Sequence, residues 1–377
     1  MDAMEKLSEH LGQRVSELWK LKKDGKKIVG YSPGGYMPEE LVYASGAIPI
    51  CLVRGGDPEP LTESLAYMPR FQDTFCRSQI GYRMLGEEPL YQMPDILVTP
   101  ITDMNSRAIA DCWNFYTDVE VLRYGIPHNK TGVSFDYYMG GLELIKKKLE
   151  GFTGNEITED KLKAEIESCN KIKGLLNSIS LMRKNGPSPI SSRDYVKLHH
   201  ASFYADKETF IGILESLYEE LKGMEPRTEQ GARILFTGST LANGDNRIFE
   251  LLEGTGAEIV YEEFAEGLRP YRHNVDLEGD PIKAMAETYF MKRAQPAWCR
   301  PWDETIDNLI NLAKEFNVNG VLWYQLMYRD GYDMMSFHFA KVLQEKTGIP
   351  MMKLESDYDT SEKGPFKTRL ETFAQIM

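Results

Sequence analysis

Two glycine-bearing turns and one charged segment hold the residue types that could do chemistry in this chain. Gly34-Gly35-Tyr36, with Ser32 just before it, follows the apolar residues 28–31 and precedes Pro38-Glu39-Glu40, a proline and two carboxylates of the kind that open a helix. Glycines at such a point let a ligand approach the backbone, and the helix start offers unpaired N–H groups to an anion or a developing oxyanion. An ordinary tight turn is the competing reading. Gly238-Ser239-Thr240-Leu241-Ala242-Asn243-Gly244 reads in the same way, as a loop after a strand. It lacks the GxGxxG spacing of a dinucleotide site and the GK[ST] ending of a P-loop, which argues against NAD and ATP. Residues 262–271 mix carboxylates, an aromatic ring and Arg269, which could clamp a phosphate or carboxylate bidentately; a surface ion-pair cluster is the alternative. The adjacent His199 and His200 point to different helix faces and cannot easily share a metal. Cys112 and Cys299 read as plain buried thiols, and no residue is assigned as catalytic.

The elements that must hold these turns alternate along both outer thirds. Met4, Leu7, Leu11, Val15 and Leu18 recur at helical spacing. Strands are expected at residues 27–31, 47–53, 95–99 and 119–124, with helices from Pro38, over 77–85 and over 105–115. Between about 140 and 223 the strands vanish, and Ile166, Ile172, Leu175, Leu176 and Ile179 mark an apolar helical stripe. Strands return at 233–237, 258–261, 320–324 and 350–354. The expectation is an α/β fold of two Rossmann- or flavodoxin-like parallel-sheet domains, residues 1–139 and 229–377, joined by a helical segment over 140–228.

The whole-chain numbers bound the partners. A length of 377 residues calls for more than one core, and a net charge of −13 argues against nucleic acid. Residues 20–27, the richest basic run, read as solvated surface, although a local pocket can oppose the global charge. No apolar run reaches the roughly 18 residues of a spanning helix, so no membrane is expected. The charged start lacks a signal-peptide pattern, and the 5 cysteines show no CxxC pairing. Both features fit a cytoplasmic, reducing setting.

Several stretches together resemble the 2-hydroxyacyl-CoA dehydratase / benzoyl-CoA reductase family, in order along nearly the whole chain. Tyr36-Met37-Pro38-Glu39-Glu40 is similar to that family's Tyr-x-Pro-Glu-Glu helix start, and Ala44-Ser45-Gly46-Ala47-Ile48-Pro49 to the Ala-x-Gly-x-x-Pro that follows. Arg77-Ser78-Gln79-Ile80-Gly81-Tyr82, residues 94–100, residues 260–271 and residues 318–325 add to the match. The resemblance implies an enzyme subunit, paired with a paralogue, that handles an acyl-CoA. It further implies a [4Fe-4S] cluster held by three cysteines in a cluster-bearing subunit and an ATP-dependent activator as electron donor. Ser32, Gly34, Gly35, Tyr36, Arg77 and Arg269 are then the candidate substrate-binding residues.

The cluster positions depart from the pattern. The first cysteine corresponds to Asp73, with Cys76 three residues late; the second corresponds to Asp103 and the third to Arg329. Two carboxylates and a guanidinium stand where three thiolates are implied, and an arginine offers iron no lone pair. The expectation is a cluster in the partner subunit, with an Asp–Arg ion pair filling the vacated pocket here. These positions, with residues 32–36, are expected to converge between the two α/β domains, where open sheets expose their loops. A cluster-free structural or regulatory paralogue that binds a partner without substrate is the alternative.

Overall fold

The computed structural model describes residues 2–224, 231–294 and 299–377. The expected boundary between 228 and 229 lies outside the described residues. The chain opens with α1 (Ala3–Lys23), started by a capping box in which the Asp2 carboxylate accepts from the Glu5 amide. Then come β1 (Ile28–Tyr31), α2 (Glu39–Ala44), β2 (Ile48–Cys51), α3 (Glu59–Ser64), α4 (Thr74–Leu85) and α5 (Pro89–Gln92), followed by β3 (Ile96–Ile101), α6 (Met104–Tyr116) and β4 (Glu120–Gly125). Their four strands form one parallel sheet in the order β2-β1-β3-β4.

Four helices follow: α7 (Gly132–Thr153), α8 (Glu159–Leu181), α9 (Ser192–Ala201) and α10 (Lys207–Lys222). The second sheet is built from β5 (Ala232–Thr240), α11 (Arg247–Leu252), β6 (Ala257–Glu266), α12 (Pro281–Ala286) with a π-helical turn at Glu287–Met291, α13 (Trp302–Glu315), β7 (Gly320–Leu326), α14 (Asp330–Thr347), β8 (Met351–Ser356) and α15 (Lys363–Ile376). It is parallel throughout, in the order β6-β5-β7-β8. Both sheets therefore have flavodoxin-like wiring, with the chain switching direction between the two central strands.

Period-two alternation gives each sheet two buried faces. Val29, Tyr31, Ile96 and Val98 pack under α2, α7 and α8, while Ile28, Ile50 and Leu97 pack on α4, α6 and the end of α1. In the second sheet Leu235, Val321 and Trp323 face α8, α9, α10, α13 and α14, and Ile234, Phe236, Leu322 and Tyr324 face α11 and α15. The apolar stripe read on α8 is split: Ile166 enters the first sheet's core, and Ile172, Leu176 and Ile179 enter the second's. Traffic also runs the other way. Ile282, Met285, Tyr289 and Phe290, which follow β6 in sequence, are buried in the first sheet's core, and the Phe290 ring stacks on Tyr138 at 5.2 Å.

Two strands run further than their apolar residues indicate. β5 extends to Thr240, so Gly238-Ser239-Thr240 are strand rather than loop, and β6 extends to Glu266 instead of ending near Tyr261. The two strands continue to pair, Thr237 with Glu263 and Thr240 with Glu266, and those ladder hydrogen bonds hold polar residues in extended form.

Candidate functional site

The carboxyl ends of the two sheets meet, and Arg329 stands at the meeting point. It follows β7, caps the start of α14 and is buried. Its Nη1 donates to Asp73 Oδ2 and to Glu266 Oε2, both at 3.0 Å, and its Nη2 donates to Glu266 Oε1 at 2.7 Å. Its Nε donates to Asp103 Oδ2 at 3.1 Å. Three carboxylates from three elements thus surround one guanidinium, whose planar fork suits bidentate pairing of this kind.

The two aspartates are placed by helix capping. Asp73 is the N-cap of α4, accepting from the amides of Phe75 and Cys76 at 3.3 and 3.4 Å. Asp103 is the N-cap of α6 and accepts from Asn105 and Ser106 at 3.0 and 2.9 Å. Aspartate is among the best residues for that position. Glu266, at the end of β6, also accepts from Thr240 Oγ1 at 2.7 Å. Asp73, Asp103 and Arg329 are the three positions singled out in sequence, and they share one site; in sequence Glu266 is only part of a charged run.

The charges are unequal. Burial, against the pull of Arg329, pushes the Asp73 carboxyl up to about 6. Burial also opposes ionisation of Asp103, but Arg329 and the Ser106 amide outweigh it and hold that carboxyl below its usual range. Burial would lower the Arg329 pKa, yet Asp103, Glu266 and Asp73 together raise it well above the ordinary guanidinium value. With one cation among three carboxylates, Asp73 takes up a proton as pH falls through about 6, while Arg329 holds Asp103 ionised.

The glycine turn is filled by protein. Arg293 donates through Nη1 to the Gly34 carbonyl and through Nη2 to the Ala265 carbonyl at 3.2 Å, with its guanidinium 5.0 Å from the Tyr36 ring centre. A Cβ on Gly35, whose φ is +71°, would lie 2.7 Å from Arg293 Nη1 and 2.8 Å from Pro270 Cγ, so these side chains need the close approach glycine allows. The Tyr36 carbonyl accepts from Tyr124 and Tyr138 hydroxyls at 2.7 and 2.6 Å, and Ser32 Oγ lies 3.2 Å from Thr99 Oγ1.

Arg269 is also engaged internally. It is buried, pairs with Glu39 at 2.6 Å and donates to Ser202 Oγ and the Ser202 carbonyl at 3.0 and 2.8 Å. The neighbouring Glu40 pairs with Lys173 at 3.2 Å and accepts from the Tyr289 hydroxyl at 2.6 Å. The Glu39-Glu40 pair therefore ties the start of α2 to the segment after β6 and to α8. Arg77 is buried on α4 with no hydrogen-bond partner for Nε, and burial lowers its pKa despite Asp357 and Asp73. His199 accepts the Arg269 amide at 3.2 Å, and His200 bonds the Leu241 carbonyl at 3.1 Å.

Sequence comparison supplies the family. Residues 35–377 match the family model described as 2-hydroxyglutaryl-CoA dehydratase, D-component. The chain belongs to that family. It is 25% identical over 95% of its length to the putative dehydratase subunit YjiM of Escherichia coli K12, covering 93% of that protein. It is 23% identical to the (R)-phenyllactyl-CoA dehydratase beta subunit of Clostridium sporogenes, over 95% of this chain and 93% of that one. It is 24% identical to one of the subunits of the benzoyl-CoA reductase of Thauera aromatica, over 75% and 72% respectively. The latter two are components of an acyl-CoA dehydratase and of an acyl-CoA reductase.

The cluster implied for the family does not fit the residues at its three positions here. A cubane wants soft thiolates, and the donors present are two carboxylates and a protonated guanidinium. Cys76 is buried; burial, and then Asp73, raises its pKa well above the ordinary thiol value, and its Sγ donates to the Asn105 carbonyl at 3.3 Å. The void beside Arg329, lined by Tyr36, Asp103, His128, Glu266 and Cys299 among others, is ≈ 10 Å³. That is about the space of one water molecule. Among the described residues no group of three or more His, Cys, Asp and Glu is arranged to hold a metal ion, and no helix is long and apolar enough to cross a membrane.

Proposed function

We propose that this chain is the cluster-free subunit of an acyl-CoA-processing reductive complex, shaping an acyl-CoA pocket and pairing with a cluster-bearing paralogue. The observation that carries the reading is the Arg329 guanidinium among Asp73, Asp103 and Glu266, an ion cluster standing where the family pattern implies thiolates. The paralogue holds the [4Fe-4S] cluster and receives single electrons from an ATP-dependent activator. Its chemistry is dehydration of a 2-hydroxyacyl-CoA or ring reduction of an aromatic acyl-CoA. In this subunit the ion cluster is a redox-silent plug: a guanidinium held by three carboxylates neither accepts an electron nor binds iron.

Iron content tests the reading. Purified without oxygen, the chain alone is expected to hold almost no iron or acid-labile sulfide, while the complex with its paralogue holds both. About four irons per single chain, with the broad visible absorption of a cubane lost in Cys76→Ala, would overturn it. Failure to copurify with any three-cysteine paralogue would overturn the pairing.

A further inference from the structure

Among the described residues, buried cations are matched to acceptors with one exception. Arg14, Lys173, Arg183, Arg247, Arg269 and Arg329 pair with carboxylates, and Arg233 donates to main-chain carbonyls. Arg77, near the start of α4, is only 6% exposed, yet it has neither an ion pair nor a hydrogen bond among the described residues. Its Nε is buried without a partner, as is Thr74 Oγ1 one helical turn earlier, so its Nη atoms are the part left accessible. A desolvated guanidinium in this state costs stability until an anion reaches it.

The surroundings decide which anion. The Thr74 amide donates to the Met327 carbonyl at 3.3 Å, which fastens the start of α4 to the turn after β7. On that turn Tyr328 is exposed at φ +64°, a backbone that side chains other than glycine's rarely adopt, and its ring meets Phe71 edge-on at 5.7 Å. Phe71 is 74% exposed, and Arg70 beside it is exposed with no ion pair among the described residues. The carboxylates whose charge reaches Arg77 are Asp357 and Asp73, and neither pairs with it: Asp73 is taken by Arg329, and Asp357 accepts the Asp359 amide at 3.2 Å. With two negative charges already near, a singly charged carboxylate is favoured over a phosphate dianion. The cavities of ≈ 430 and ≈ 520 Å³, which have the size of small-molecule sites, lie elsewhere, at the end of β6 and against α7. An accessible guanidinium beside exposed Phe and Tyr rings has instead the composition of a protein–protein anchor point.

We infer that the cluster-bearing paralogue docks on the surface formed by Arg77, Phe71 and Tyr328, setting an aspartate or glutamate carboxylate on Arg77 and apolar side chains on the two rings. The inference rests on the pairing proposed above and adds where it takes place and which group anchors it. Asp73, one turn before Arg77, belongs to the Arg329 cluster, so docking here sets the paralogue against the three family positions that carry no thiolate in this chain. A second copy of this chain suits the surface less, because each copy carries a net charge of −13.

The affinity of the full chain for its separately purified paralogue, titrated calorimetrically without oxygen, tests it. Arg77→Met should weaken pairing by about tenfold or more, the loss of a charged hydrogen bond. The thermal midpoint of the single chain should meanwhile stay the same or rise, because an unpaired buried charge has been removed. Phe71→Ser, at an exposed position, should weaken pairing by about fivefold or more with an unchanged midpoint. Undiminished pairing in both variants would overturn the surface, and so would a clear fall in the midpoint of Arg77→Met, the mark of an internal partner. Loss of coenzyme A binding in Arg77→Met with pairing intact would make Arg77 a substrate contact and overturn it too. Self-association of the parent chain in sedimentation, abolished by Arg77→Met, would give the surface to a second copy and remove the paralogue as its occupant. A parent that pairs as tightly as its variants sinks this surface alone, whereas a parent that does not pair sinks the reading beneath it as well.

Discussion

The two sheets share one strand order, yet where their facing ends meet, several acidic groups of the first sheet's loops are matched by arginines of the second's. The first sheet's side presents Asp73, Asp103, Glu39 and the Gly34 carbonyl; the second sheet's side presents Arg329, Arg269 and Arg293. Asp103 follows β3 and Arg329 follows β7, the corresponding strands of the two sheets. Equivalent positions of a repeated scaffold have thus become the two halves of an ion pair. Such a contact needs no metal to join the halves, and Glu266 supplies the extra carboxylate that fixes Arg329 in one orientation.

The most severe way to break that complementarity is to remove its one shared cation. Arg329→Met leaves Asp73, Asp103 and Glu266 buried against one another, and should lower unfolding free energy by about 3–5 kcal/mol, as breaking buried pairs does. Denaturant unfolding of the single chain measures it; a loss under about 1 kcal/mol would mean that the carboxylates are solvated and the site is open.

A steric change at a seam held by backbone hydrogen bonds sharpens the comparison, because it tests fit rather than the Arg329 ion pairs. The loops after β2 and β5 pair directly, with the Asn243 amide donating to the Val53 carbonyl at 2.8 Å and Gly55 to Asn243 at 3.0 Å. A Cβ on Gly244, at φ +107°, would lie 2.6 Å from both Arg54 Nη1 and the Gly55 carbonyl. Gly244→Ala should therefore destabilise by about 1–3 kcal/mol. An unchanged melting temperature would show that the seam yields.

The smallest expected effect concerns the proton on Asp73. Its carboxyl titrates near 6 in the folded chain, above its ordinary value of 3.8, so folding is favoured while it is protonated. That contribution is fully present below 3.8 and is lost as pH rises through about 6. Asp73→Asn cannot titrate, so the difference in melting temperature between variant and parent should move in the variant's favour between about pH 4 and pH 6 and level off above that. A difference that stays constant or moves the other way would place the shared proton elsewhere.

The sheets were legible because a parallel strand buried on both faces is written as an apolar run, as in Ile96-Leu97-Val98. The carboxyl ends of β5 and β6 were not, since Thr240 and Glu266 are polar and only their cross-strand pairing keeps them extended. Asp73, Asp103 and Arg329 could be picked out by their places in a motif. Glu266 and Arg293 could not: Glu266 meets Arg329 from 63 positions away and Arg293 meets Gly34 from 259, with no local pattern to announce either. Arg269 was visible as a strong charge, but its partners Glu39 and Ser202 turn it inward.

The exchange of segments between the halves has a consequence for how this chain can be assembled and inherited. Because α12 and the π-helical turn are folded into the first sheet's core from beyond β6, a ribosome that has finished the first sheet has not finished its core. The nascent first half waits with an apolar slot for Met285 and Phe290 until β5 and β6 of the second sheet have been made. Neither half could then be shuffled as a free-standing module, and an insertion between α10 and β5 is tolerable only if it lets that later segment reach back.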